Sequence, residues 1–334
     1  MRLHLFNPEN DLALAAGIER YTPPAAAVRL SRAGQLLPAW LAGSGDAILV
    51  ADESACEEAE RLNARFGLGI KAVTESPSGL TACSPWGWSL AARRRFMDAG
   101  VAKAILPSDA WLDTHRRLSS RLSTVELSHA LGLRPPVVAL TPAEVVAAVA
   151  ANEESGLDSF IKMPWSSSGR GVFSTGRMNA AMVERRAADI IRSQSAVIIE
   201  PDRRRRSDFA ALYCCEGGRA RFTALSLFVT DDRGAYRGNI VTSDDEIMSR
   251  LGVDPTSWIE RMADALTAVI APHYEGMAGV DMVVTDSGDI WPLIELNLRS
   301  TMGVVAAAMR PYFKRPVLLA PAPDRVDSHL PLQL

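Results

Sequence analysis

Hydrophobic and polar positions along this chain follow two rhythms. Short apolar runs predict strands at Arg2–Phe6, Asp46–Ala51, Ile70–Val73, Ser159–Met163 and Ala196–Pro201. Between them, apolar residues recur with helical spacing over Glu53–Phe66, Leu90–Ala99, Arg116–Gly132, 176–195 and Trp258–Ile270. Thr141-Pro-Ala-Glu144 is a capping box with proline at the first helical position, and it opens an Ala/Val-rich helix. Strands alternating with helices predict a parallel sheet and an α/β class. In the C-terminal part the class shifts toward α+β. There Asp208–Cys215 and Arg221–Thr230 flank the turn Glu216-Gly-Gly-Arg219 and predict antiparallel strands. From Pro311 the tail is proline-rich and expected to be irregular.

The most informative pattern lies in Gly279–Gly303. Val280–Val284 and Ile290–Leu298 predict two strands joined by a turn containing Asp286, Ser287 and Gly288. Side chains alternate along a strand, so Glu295 and Asn297 share a face. Asp281 meets them from the partner strand. Carboxylates among Val, Met, Ile and Leu are costly unless paired or bound to a cation. An all-oxygen set of this size suits Mg²⁺. The competing reading is an edge hairpin with solvated acids. Arg299 adds a cation two residues beyond Asn297, suited to a phosphoryl group or an anionic substrate.

Composition narrows the field without naming a chemistry. The 334 residues allow two or three packed units. The net charge of −3 implies no general attraction to nucleic acid or to anionic membranes. The N-terminus lacks a signal peptide's apolar core, and no run is long enough to span a membrane, so a cytoplasmic protein is expected. Cys56, Cys83, Cys214 and Cys215 form neither a CxxC pair nor a zinc spacing and are expected to be free thiols.

Several other polar stretches stand out. Asn7-Pro-Glu-Asn-Asp11 follows the first strand, where open α/β sheets gather ligand groups. It also suits a capped turn. Trp86 and Trp88 flank Gly87 and suit either a pocket wall or core anchors. Arg93-Arg-Arg95 is read as a solvated helix face. Lys162 ends a strand that runs into Pro164–Gly171, a serine- and glycine-rich loop able to lie over phosphates. The lysine precedes the loop, so this is not a P-loop. No GxGxxG supports a dinucleotide site. Glu200-Pro201 closes a buried strand in the manner of a hinge that pairs with an adenine edge.

Three separated pieces together resemble the ATP-grasp superfamily, of the carboxylate–amine ligase type. Lys162-Met-Pro with Ser166–Gly171 resembles its phosphate flap, and Ile198–Pro201 with Asp208 resembles its hinge and ribose acid. Asp281, Glu295, Asn297 and Arg299 fall on its Asp…Glu-x-Asn-x-Arg metal hairpin. The resemblance spans roughly residues 115–305. It implies a Rossmann-like pre-ATP-grasp domain at 1–115, a small lobe at 116–200 and a large lobe at 201–320, followed by an irregular tail at 321–334. ATP is then expected on Arg121, Lys162, Ser166, Ser167, Ser168, Gly169, Glu200 and Asp208. One or two Mg²⁺, with Mn²⁺ able to substitute, are expected on Asp281, Glu295 and Asn297. Lys162 and Arg299 carry the catalytic roles. Where the family places a first lysine, this chain offers Arg117 or Arg121.

The implied reaction activates a carboxylate as an acyl phosphate for attack by an amine or thiol. Small-molecule acids and amines are the expected partners, and a homodimer is allowed. Asn7, Glu9, Asn10, Asp11, Trp86, Trp88, Arg237 and Asn239 are the substrate-site candidates. Related alternatives are a small-molecule phosphotransferase and an inactive nucleotide-binding module. Intact metal ligands and Lys162 speak against the second. Substrate identity does not carry over.

Overall fold

The structure is a computed structural model that describes residues 1–166, 171–230, 236–320, 330 and 332–333. Among these, three sheets form. The first holds β1 (Arg2–Leu5), β2 (Ala47–Leu49), β3 (Lys71–Val73) and β4 (Ala82–Pro85), all parallel, in the order β3-β2-β1-β4. Helices α1 (Asn10–Ala16), α2 (Ala25–Ala33), α3 (Ser54–Phe66) and α4 (Leu90–Asp98) accompany it. This is the predicted parallel α/β unit.

Two helices follow where the apolar spacing suggested one: α5 (Asp109–Leu118) and α6 (Ser123–Ala130). The break has a local cause. Ser123 Oγ donates to the Ser120 carbonyl at 2.8 Å and Thr124 Oγ1 to the Arg121 carbonyl at 2.6 Å. Such hydroxyls offer the backbone an alternative to the helical ladder. The backbone N–H of Arg121 leaves the helix altogether and donates to the Pro164 carbonyl at 2.9 Å.

The second sheet contains β5 (Val137–Ala139), β6 (Ser159–Lys162), β7 (Val172–Ser174) and β8 (Val197–Pro201), ordered β5-β8-β6-β7 and antiparallel. Helices α7 (Pro142–Glu154) and α8 (Ala180–Gln194) cover it and share its core through Val145, Val183 and Ile161. The Thr141–Glu144 capping box forms as read.

The third sheet has seven strands: β9 (Arg205–Glu216), β10 (Arg219–Thr230), β11 (Tyr236–Val241), β12 (Gly276–Thr285), β13 (Ile290–Asn297), β14 (Val317–Leu319) and β15 (Leu332–Gln333). Their order is β13-β12-β9-β10-β11-β14-β15. The tail expected to be irregular thus supplies two strands. Val317 and Leu319 are buried and give that segment an apolar face that favours pairing. Helices α9 (Asp244–Leu251), α10 (Thr256–Val269) and α11 (Met302–Met309) pack on this sheet. Val305 and Met309 of α11 join Phe6 and Ile48 in one core, so the first and third sheets pack as one body. No helix among the described residues is long and apolar enough to cross a membrane.

Candidate functional site

The hairpin β12–β13 places its polar residues as the alternation requires. Asp281 stands opposite Glu295 and Gly279 opposite Asn297, and Asn297 Nδ2 donates to Asp281 Oδ2 at 3.4 Å. Burial and then the neighbouring Glu295 charge push the Asp281 carboxyl up to about 7. Burial opposes ionisation of Glu295 too, but Arg121 and Lys162 outweigh it and hold its carboxyl below the ordinary value. Two carboxylates this close resist ionising together.

A divalent cation would relieve that conflict. The donors are two carboxylates and an amide oxygen, which suits Mg²⁺ rather than a soft metal. Among the described residues, no group of three or more His, Cys, Asp or Glu gathers to hold a metal, so the third protein ligand would be the Asn297 amide.

Arg121 meets this cluster from the α5–α6 break. Its guanidinium donates to Glu295 Oε1 at 2.6 Å, to Ser166 Oγ at 2.6 Å and to the Met163 carbonyl at 2.9 Å. Of the two arginines offered by the sequence, Arg121 is buried at the site, while Arg117 is exposed on α5. Lys162 arrives from β6. Its ammonium pairs with Glu200 Oε2 at 2.6 Å and donates to the Ile294 carbonyl at 3.2 Å. It therefore ties the small sheet to the hairpin backbone. Asp208 lies on β9, opposite Val283, and burial raises its carboxyl despite an ion pair with Arg205 at 3.4 Å. Ser167, Ser168 and Gly169 of the expected flap lie outside the described residues.

Arg299, near enough to feel both acid charges, also meets the N-terminal part of the chain. Its Nε donates to Asp11 Oδ1 at 3.0 Å and its Nη2 to Asp11 Oδ2 at 2.8 Å. The Asn7–Asp11 segment is then held by its own neighbours. Asn7 Nδ2 donates to the Gly87 carbonyl at 2.9 Å. The Asn10 amide nitrogen, oriented toward its acceptors, donates to the Gly87 carbonyl at 2.9 Å and the Trp88 carbonyl at 3.2 Å. Glu9 pairs with Arg95 at 3.2 Å, leaving its buried Oε2 without a hydrogen-bond partner among the described residues. A Cβ on Gly87 would fall 2.3 Å from the Asn10 amide, so this approach requires glycine. The two loops together form a clamp around Arg299.

One expectation is corrected nearby. Arg93 is buried rather than solvated, with ion pairs to Glu19 at 3.0 Å and Asp109 at 2.6 Å. Those acids lie outside its own helix, so no periodicity could reveal them. Arg237 and Asn239 lie on β11, three places along the sheet from β12, and are not gathered at the hairpin. Asn239 is buried and donates to Ser226 Oγ at 2.8 Å. Trp86 is a core anchor, edge-on to Phe6 at 4.9 Å, while Trp88 is half-buried.

Sequence reading missed Trp165 as a member of the site. Its backbone N–H donates to Gln194 Oε1 at 2.8 Å, and Arg116 is stacked over its ring. The Pro-Trp step entering the flap was its only signal. Trp165, with Arg121, Ser166, Glu295 and Arg299, closes the cleft beside the hairpin to about 10 Å³.

No family model and no curated protein matches the chain by sequence. Solved structures do match its shape. One is N5-carboxyaminoimidazole synthetase from Staphylococcus aureus, with 11% identity over 90% of this chain and 71% of that one, at a TM-score of 0.53. Another is biotin carboxylase from Campylobacter jejuni in a β,γ-ATP complex, with 15% identity over 91% of this chain and 66% of that one, also at 0.53. A third is phosphoribosylamine–glycine ligase from Thermotoga maritima, with 13% identity, 92% and 71% coverage, and a TM-score of 0.53. Identities this low speak to fold alone. The chain has the ATP-grasp fold.

Proposed function

We propose that this protein is an Mg²⁺-dependent ligase that uses ATP to activate a carboxylate for attack by an amine. The observation that carries the reading is convergence. Arg121 and Lys162 come from distant segments, and both donate to neighbouring positions of the acid-bearing strand, Glu295 and Ile294. Catalysis of phosphoryl transfer is mainly positioning and charge neutralisation, and this cluster supplies both.

In this reading Asp281, Glu295 and Asn297 hold the metal, with Mn²⁺ able to replace Mg²⁺. When bound, the metal neutralises phosphate charge. Lys162 supplies a point charge to the phosphates, and Glu200 holds its ammonium in place. Arg121 braces Glu295 against the strand that leads into the flap. Asp208 is assigned to the ribose. Arg299, fixed by Asp11, steadies the transferred group. Trp165 excludes water from the cleft. The acid's oxygen attacks the γ-phosphorus as the bond to the β-phosphate oxygen breaks. The amine then attacks the acyl carbon, loses a proton and expels phosphate.

The test is a screen of small acids and amines in pairs for ADP and phosphate release. The reading expects free phosphate only when acid and amine are both present. Accumulation of a phosphorylated acceptor that needs no amine would instead identify a phosphotransferase.

A further inference from the structure

A larger cavity adjoins the closed cleft. It has a volume of about 620 Å³ and lies between the first sheet and the large sheet. Small-molecule sites typically measure roughly 300–1,000 Å³. Leu298 and Arg299 line both this cavity and the hairpin cleft, so the two spaces share a wall. Much of the remaining lining is aromatic or apolar, including Trp86, Trp88, Tyr274 and Met277, while Arg2, His4, Ser84, Glu216 and Glu275 supply polar side chains.

We infer that this cavity is the acyl-substrate chamber, and that its substrate is a monocarboxylic acid with an apolar, ring-bearing or branched body. The assignment rests on the ligase reading above. Arg299 supplies the polar pole. A guanidinium carries five N–H groups in a fixed fork. Bonds from Nε and Nη2 to Asp11 and from Nη1 to the Ser300 carbonyl engage one N–H on each nitrogen. Among the described residues, the second N–H on each terminal nitrogen is left to donate to a substrate carboxylate. Asp11 fixes the fork's orientation, so the carboxylate meets a preset donor pair beside the hairpin. The apolar body then lies against Trp88 and Met277, where burial of its surface is favourable. A second carboxylate on the substrate would be disfavoured. Within the lining His4 is already engaged with Asp46 at 3.2 Å and burial disfavours its charged form, so a second carboxylate would meet mainly aromatic and apolar walls. The exposed charged residues of the lining are two acids, Glu216 and Glu275, and one base, Arg2.

The probes are 3-phenylpropanoate, acetate, succinate and 3-phenylpropanol, titrated into the full chain by calorimetry. The expected result is saturable binding of 3-phenylpropanoate, at least tenfold tighter than that of each of the other three. Cys83→Trp and Met277→Glu alter the chamber wall away from Asp281, Glu295 and Asn297. Each should weaken 3-phenylpropanoate at least tenfold and leave Mg·ADP affinity within twofold. Equal affinity for acetate, succinate or the alcohol would overturn the assignment, as would unchanged probe binding in either folded variant. Should either variant lose its native melting transition, alkylation of Cys214 in the wild-type chain decides. Saturating 3-phenylpropanoate should slow its reaction with iodoacetamide at least fivefold, and an unchanged rate overturns the proposal. A wild-type chain that binds the acid but not Mg·ADP would refute the ligase reading and leave the acid-binding cavity standing.

Discussion

Two polar clusters face each other across Arg299, and they differ in what their side chains are doing. In the Asn7–Asp11 segment nearly every polar group has a partner: Asn7 and Asn10 on the Gly87–Trp88 backbone, Glu9 on Arg95, Asp11 on Arg299. In the hairpin, Asp281 and Glu295 confront each other, and the ionisation of Asp281 is displaced toward about 7. Satisfied polar groups specify a shape. An unresolved charge conflict, kept beside Arg121 and Lys162, marks where chemistry is expected. The two clusters looked alike in composition. Their partners separate them.

Variants should separate them as well. The largest effect is expected at the hairpin. Glu295→Gln removes a charged metal ligand but keeps an acceptor for Arg121. Turnover measured as ADP release should fall roughly 10²–10³-fold, the scale for one electrostatic donor at a reacting centre. The native melting transition should persist. Lys162→Ala comes next. Breaking a buried ion pair by removing one partner costs about 3–5 kcal/mol, so this variant should be less stable and should lose affinity for ATP more than for adenosine. Equal loss for both ligands in calorimetry would make Lys162 structural.

On the other side of the comparison, Asn10→Ala should cost about 1–3 kcal/mol by removing the Asn10 donor from the Trp88 carbonyl, while the Gly87 carbonyl keeps Asn7. Denaturant unfolding would show this, with nucleotide affinity unchanged. Asp11→Asn loosens Arg299 and should lower kcat without changing nucleotide affinity. A change in nucleotide affinity would place that loop inside the nucleotide site and erase the distinction.

A further prediction is a pH dependence. The Asp281 carboxyl is raised from 3.8 to about 7 in the folded state. Between those values the folded chain binds more protons than the unfolded one, so this group's contribution to stability falls as pH rises from about 4 to about 7 and then levels. Asp281→Asn should therefore lose less stability over that window than the wild-type chain. Parallel melting curves for the two proteins would contradict the assignment.

Much of the hairpin was legible because strand alternation is local. It set Glu295 and Asn297 on one face, and the register put Asp281 opposite Glu295. Lys162 was legible for the same reason, as the end of an apolar strand leading into a small-residue loop. Other features depended on contacts that no local period encodes. The Asp11–Arg299 pair joins positions 288 apart, and Arg93 finds Glu19 and Asp109 on other elements. The α5–α6 break was carried by hydroxyl side chains that an apolar count ignores. Val317 and Leu319 formed a strand because buried neighbours overrode a proline-rich setting.

The central claim is that Asp281, Glu295 and Asn297 hold a metal together with a nucleotide. Calorimetric titration of ADP into the wild-type chain and Asp281→Asn, each with Mg²⁺ and with a chelator, tests it most directly. The account predicts tight binding to the wild-type chain only with Mg²⁺, and loss of that Mg²⁺ dependence in the variant. Equal ADP binding with and without metal in the wild-type chain, or wild-type Mg·ADP affinity in Asp281→Asn, would contradict it.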